Sequence, residues 1–143
     1  MIAMGKQSSS ILVSGMKYLL FISPFLFLAI FQQKHSREEI EKAMHYYDHL
    51  IKNTDADSIA LLFTPDGDLG NIAHGRDSIR RFLKTFTHVK VISTGSTTSS
   101  IEMGADTALQ KGSYRQVAVI QNKDTVYVKG FFTAHWKWLA DGQ

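Results

Sequence analysis

Residues 70–83 read "GNIAHGRDSIRRFL", and the way this stretch divides decides the fold. Up to His74 it has the character of a short extended piece. Gly75 interrupts it, and from Arg76 the apolar residues Ile79, Phe82 and Leu83 recur at helical spacing, with Phe86 one turn further on. A strand that corners at a glycine into a helix belongs to a chain mixing both elements. What precedes and follows the corner sets the order of the mixture.

Upstream the pattern is helical. In "REEIEKAMHYYDHLIKN" the residues Ile40, Ala43, Met44, Tyr47, Leu50 and Ile51 form one apolar face, Ser36 is placed to cap it, and Glu38, Glu39 and Glu41 sit in the favourable first turn. "TDADSIALLF" offers Asp55 as a second cap and Ile59, Leu62 and Phe63 as a shorter face, ended by Pro65 and Gly67. Downstream of Val89 the period becomes two. "VKVIST", "SSIEMG", "TALQKGSYRQVAVIQ" and "TVYVKGFFTAHWKWL" read as strands, with "STTSS" as a turn between the first two and "NKD" as a later turn. Helices first and meandering strands after predict an α+β fold with a curved antiparallel sheet. In the last segment Val128, Gly130, Phe132, Ala134, Trp136 and Trp138 share the face expected to meet the helices, leaving Tyr127, Lys129, Phe131, Thr133, His135 and Lys137 on the other.

Length and composition bound the rest. The 143 residues, 44% of them hydrophobic, suit one domain with a real core. The net charge of +3 comes from 16 basic and 13 acidic residues scattered along the chain, so no dense basic cluster points to nucleic acid as a partner. There is no cysteine, which excludes disulfides, thiolate metal sites and cysteine nucleophiles. Residues 1–35 differ from the remainder. Lys17 precedes an apolar run over residues 18–31, 14 residues against the roughly 20 that cross a bilayer, which reads as an export signal or, uncleaved, as an anchor. The expected location is therefore secreted or periplasmic, with any membrane contact made through this leader. The Ser/Gly-rich stretch before Met16 reads as an upstream extension, and the domain as residues 36–143. At the other end "LADGQ" carries an Asp-Gly hairpin signal after the last strand, an expectation that a further strand is missing or that this edge stays open.

The segments "NTDADSIALLFTPDG", "HGRDSIRRFL", "KGSY" and "KGFFTAHWKWLADG", in this order, resemble the nuclear transport factor 2-like superfamily in its SnoaL-like or ketosteroid isomerase-like branch, from about Arg37 to the end. The resemblance implies a cone, a curved sheet wrapped around helices, usually a homodimer through the convex sheet surface, with a pocket at the open end for a small apolar molecule and no cofactor. Members include isomerases, cyclases and dehydratases as well as proteins without demonstrated activity, so the fold leaves function open.

An isomerase of this kind needs a carboxylate base and two neutral donors for a developing enolate. Tyr47, eight residues before Asp55, resembles the oxyanion tyrosine. The base would fall near Gly70 or Asn71, where there is no acid, although Asp68 is close; the second donor would fall near Ala134, where there is none. His74 is the remaining general-base candidate, against a structural role at the start of the third helix. His74, Asp68 and Tyr47 are thus the candidate catalytic residues, and Tyr47, Tyr114, Gln116 and Trp136 the candidate binding residues, the sheet members being assigned by parity to the inside of the cone. Each also has a plain structural reading, as core or turn. Asp66 suits ordinary turn chemistry, and Arg76, Arg80 and Arg81 read as a solvated helix face. His45 and His49 have a zinc-compatible i, i+4 spacing, but Tyr47 between them turns to the core, so they are expected at the surface with no metal. Three functions remain: a small-molecule-binding domain, an acid–base enzyme on an apolar carbonyl compound, and a protein-interaction module.

Overall fold

A computed structural model describes residues 35–139 and the backbone of Ile2–Met4. The elements are β1 (Ile2–Met4), α1 (Arg37–Lys52), α2 (Ala56–Leu61), β2 (Asp68–Leu69), β3 (Ala73–His74), α3 (Arg76–Leu83), β4 (Val89–Met103), β5 (Thr107–Ile120) and β6 (Asp124–Trp138). The expected apolar leader, residues 18–31, and the Asp-Gly hairpin signal lie outside the described residues, and no described helix is long and apolar enough to cross a membrane.

The helix caps form as their sequences dictate. Ser36 and Glu39 make a reciprocal capping box, the Ser36 hydroxyl accepting from the Glu39 N–H and the Glu39 carboxylate from the Ser36 N–H. Asp55 accepts from the Ser58 N–H at the start of α2. The corner before α3 is made by backbone instead. Gly75 holds φ +77, a conformation suited to glycine, its N–H bonds the Gly67 carbonyl, and Arg76 N–H bonds that of Pro65. Arg76 departs from the solvated role expected of it. It is half-buried, and its Nε and Nη2 both donate to the Phe63 carbonyl at 2.9 and 2.7 Å, tying α3 to the end of α2. Phe86 also departs, lying beyond the helix end and exposed, edge-on to Phe82.

The main sheet is antiparallel in the order β1-β6-β5-β4, and β2 and β3 form a separate two-stranded hairpin. Where the sequence suggested four strand segments there are three long strands, because "STTSS" is no turn but the middle of β4, which absorbs two register irregularities, at Ile92 and Ser99. Extra residues of this kind bend a strand and increase its twist, the curvature a cone requires. Ile2–Met4, which the sequence reading set aside with the leader, pair with Trp138, Lys137 and Trp136 of β6. Along residues 124–135 that edge of β6 has no strand partner among the described residues.

The parity expected of β6 holds. Phe132, Ala134, Trp136 and Trp138 pack with Ile40, Met44, Ile101 and Ala108 between α1 and the sheet. A second cluster, Leu50, Ile59, Phe63 and Ile79, joins the three helices, and Tyr47 touches both. Glycine is needed at two sheet positions. Gly112 pairs with Phe132 and Gly130 with Tyr114. A Cβ on Gly112 would meet the Phe132 ring at 2.6 Å, and one on Gly130 the Tyr114 ring at 2.8 Å, so each aromatic ring lies across the glycine opposite it. The two "KG" pieces of the sequence are this reciprocal arrangement.

Candidate functional site

The inner sheet face is filled toward the β4–β5 hairpin and only partly covered around Gln116 and Val128. In the filled part, the fully buried Gln110 accepts from Trp136 Nε1 at 2.9 Å and donates through Nε2 to Thr98 Oγ1 at 2.8 Å. Trp136 is therefore a buried residue with a satisfied indole, and it also lines the cleft that holds Asp68 and His135. Beyond Tyr114 the cover is partial, Val91 and Ala118 on the inner face still being buried. Gln116 is half-buried and its cross-strand neighbour Val128, on the inner face, is 42% exposed.

Tyr47, on α1, lies between the two core clusters and near Tyr114. Burial pushes its hydroxyl up to about 12, with the charge of Asp48 and the proximity of Tyr114 adding to the shift. The phenol therefore stays neutral across the physiological range, able to donate a hydrogen bond and unable to act as a base. Asp48, absent from the expected site residues, is the carboxylate beside it. Both of its oxygens are engaged, Oδ2 by the Ser96 N–H and Oδ1 by the Ser96 hydroxyl, each at 2.8 Å. A signal for it existed: Asp48 follows Met44 by four and precedes Ile51 by three, a carboxylate on the apolar stripe of α1.

Asp68 and His74 stand elsewhere. They are register partners across the β2–β3 hairpin, joined Oδ1 to Nδ1 at 2.5 Å, and the His74 side chain is 73% exposed. Alternation explains it: Leu69 and Ala73 face the second core cluster, so their neighbours face outward. Asp68 lines an open cleft of about 820 Å³ with Gly70, Asp106 and His135, a cleft that Tyr47 does not line. The structure thus sets Tyr47 near Tyr114, places Gln116 and Val128 in a shallow cleft that neither tyrosine lines, and keeps His74 and Asp68 together on another surface. His45 and His49 are exposed, His49 bonding Asn53, and no group of three metal-type ligands occurs among the described residues. Asp66 is exposed within the turn closed by the Gly67 N–H and the Thr64 carbonyl.

No family model matches the chain, and no curated protein matches it significantly. Solved structures do. A protein from Catenulispora acidiphila superposes with a TM-score of 0.61 at 18% identity, over 74% of this chain and 82% of that one. ActVI-ORFA from Streptomyces coelicolor gives 0.60 at 16%, over 74% and 88%. A ketosteroid isomerase-like protein from Erwinia carotovora atroseptica gives 0.52 at 18%, over 68% and 81%. With three helices laid on a bent antiparallel sheet in this order, the chain has the nuclear transport factor 2-like fold of the SnoaL-like and ketosteroid isomerase-like proteins.

Proposed function

We propose that this is a small-molecule-binding domain whose ligand lies at the partly exposed end of the inner sheet face, against Tyr114, Gln116 and Val128, with the Tyr47 hydroxyl donating to an acceptor oxygen on it. The observation that carries the reading is a phenol kept neutral by burial, beside Tyr114 on the inner sheet face. Such a site suits a flat, mostly apolar molecule bearing a carbonyl. Binding is favoured over acid–base turnover because the nearest carboxylate, Asp48, is occupied by Ser96, while the Asp68–His74 pair faces solvent from the hairpin. The apolar run over residues 18–31 supports delivery of the domain outside the cytoplasm.

The test is a thermal-shift titration of the full chain with a panel of flat apolar carbonyl compounds. A ligand at a hundred times its Kd stabilises the folded state by about 2.7 kcal/mol and raises Tm by several degrees. Tyr47→Phe should weaken the concentration dependence of that shift about five- to tenfold by removing one donor, and Gln116→Ala should weaken it as well. Unchanged melting across the panel, or shifts indifferent to both substitutions, would sink the proposal.

A further inference from the structure

Asp48 is a half-buried carboxylate that faces the sheet from α1, and among the described residues no lysine, arginine or histidine nitrogen lies within 4 Å of it. Its partners are the Ser96 N–H and the Ser96 hydroxyl, each at 2.8 Å. Asparagine could make both contacts, its oxygen accepting from the N–H and its amide donating to the hydroxyl oxygen, so fastening α1 to β4 does not call for a charge. A charge held partly out of water without a counter-ion costs stability that a cation beside it offsets. Each carboxylate oxygen keeps a second lone pair with which to meet one.

Register fixes where that charge lies. Ser96 pairs with Tyr114 and Tyr114 with Gly130, while two residues along the strands Thr94 pairs with Gln116 and Gln116 with Val128. Side chains two apart share a face, so the carboxylate stands on the row next to Gln116 and Val128, about 7 Å away along the strands. Its field is felt at this place, since it adds to the shift that keeps the Tyr47 hydroxyl protonated. We propose, resting on the ligand site described above, that Asp48 sets the charge of what binds there: the ligand is a flat carbonyl compound that also carries a protonated amine, its oxygen on Tyr47 and its ammonium toward Asp48, and anionic relatives are turned away. The net charge of +3 by itself favours anions, so a preference for the amine is local to this carboxylate.

Binding of three matched probes to the full chain tests this: acetylnaphthalene, and the same ketone with an aminomethyl or a carboxylate group on its far ring, followed by thermal shift and isothermal titration at low salt. The amine should bind about tenfold more tightly than the neutral ketone and the carboxylate about tenfold more weakly, the size expected of a charge about 7 Å away in partly wet surroundings. Asp48→Asn, which can keep both Ser96 contacts, should shrink the amine-to-ketone ratio to about twofold or less. Salt at about 0.5 M should lower the wild-type ratio to about threefold with no substitution at all, a second reading should the variant fold poorly. Equal binding of the three probes, a preference for the carboxylate, or an amine preference that survives Asp48→Asn or the salt overturns the proposal. The ligand site itself stands in each of these cases, provided that the neutral ketone still loses affinity with Tyr47→Phe. Binding of none of the three, or binding indifferent to Tyr47→Phe, sinks that site and the proposal with it.

Discussion

Gly112 and Gly130 are where one hydrogen in place of a methyl decides whether the sheet closes. A Cβ on Gly112 would run into the Thr97 carbonyl oxygen as well as the Phe132 ring, and backbone cannot swing aside. Gly112→Ala is therefore expected to cost about 3 kcal/mol in urea unfolding. Gly95→Ala, with nothing within 4 Å of the added atom, should be neutral or stabilise by about 0.5 kcal/mol. Tyr47 gives a pH signature. Its hydroxyl ionises near 10.0 in the unfolded chain and near 12 in the folded one, so unfolding is favoured once the unfolded form can lose its proton. The stability tied to Tyr47 is complete below pH 10 and falls away between pH 10 and 12, on the order of 2 kcal/mol. Tyr47→Phe should flatten that fall in alkaline unfolding curves, and ultraviolet titration of the wild type should show one tyrosine ionising late.

At the scale of elements, β4 is held to α1 by Ile101 packing toward its end and, in its middle, by a polar contact from Asp48 to Ser96. A stretch as poor in apolar residues as "STTSS" earns no strand from periodicity, because its inward residues are Ser96 and Thr98. Ser96 is satisfied by Asp48 and Thr98 by Gln110, partners 48 and 12 residues away that no local window contains. Asp48→Ala leaves the Ser96 N–H unpaired under α1 and is expected to cost about 2 kcal/mol; amide exchange around Ser96 should accelerate with it, whereas a purely local effect on α1 would leave β4 protected. The capped helix starts were legible, since both caps act within three residues: Ser36→Ala should cost about 1 kcal/mol. Asp55, whose carboxyl is held below its usual value chiefly by the Ser58 hydrogen bonds, contributes stability that is present above its unfolded value and is lost as the pH falls through the lowered one.

Across the whole molecule the three long strands are locked by one buried polar chain, Trp136 to Gln110 to Thr98, spanning β6, β5 and β4. Gln110→Met keeps volume but strands the indole N–H and the Thr98 hydroxyl, and is expected to cost about 2–3 kcal/mol in chemical denaturation; a loss below 0.5 kcal/mol would mean that water replaces the amide. The same sheet presents two unlike surfaces, an inner face packed on the helices and an outer face on which Tyr127 and Phe131 are exposed.

The sequence alone determined the caps of α1 and α2, the parity of β6 and the helices-then-strands order that specifies the fold, because each depends on residues within a few positions of one another. Strand parity set Tyr114 and Gln116 on the inner face, while Tyr47 was picked out by the family resemblance and by the helical period of α1. Only the tertiary structure decided that Asp68 and His74 pair with each other on the solvent side of a hairpin, that Arg76 is a clamp, and that "STTSS" is strand. Those outcomes depend on register between distant strands and on hydrogen bonds closed over long loops, and neither leaves a trace in composition or local period.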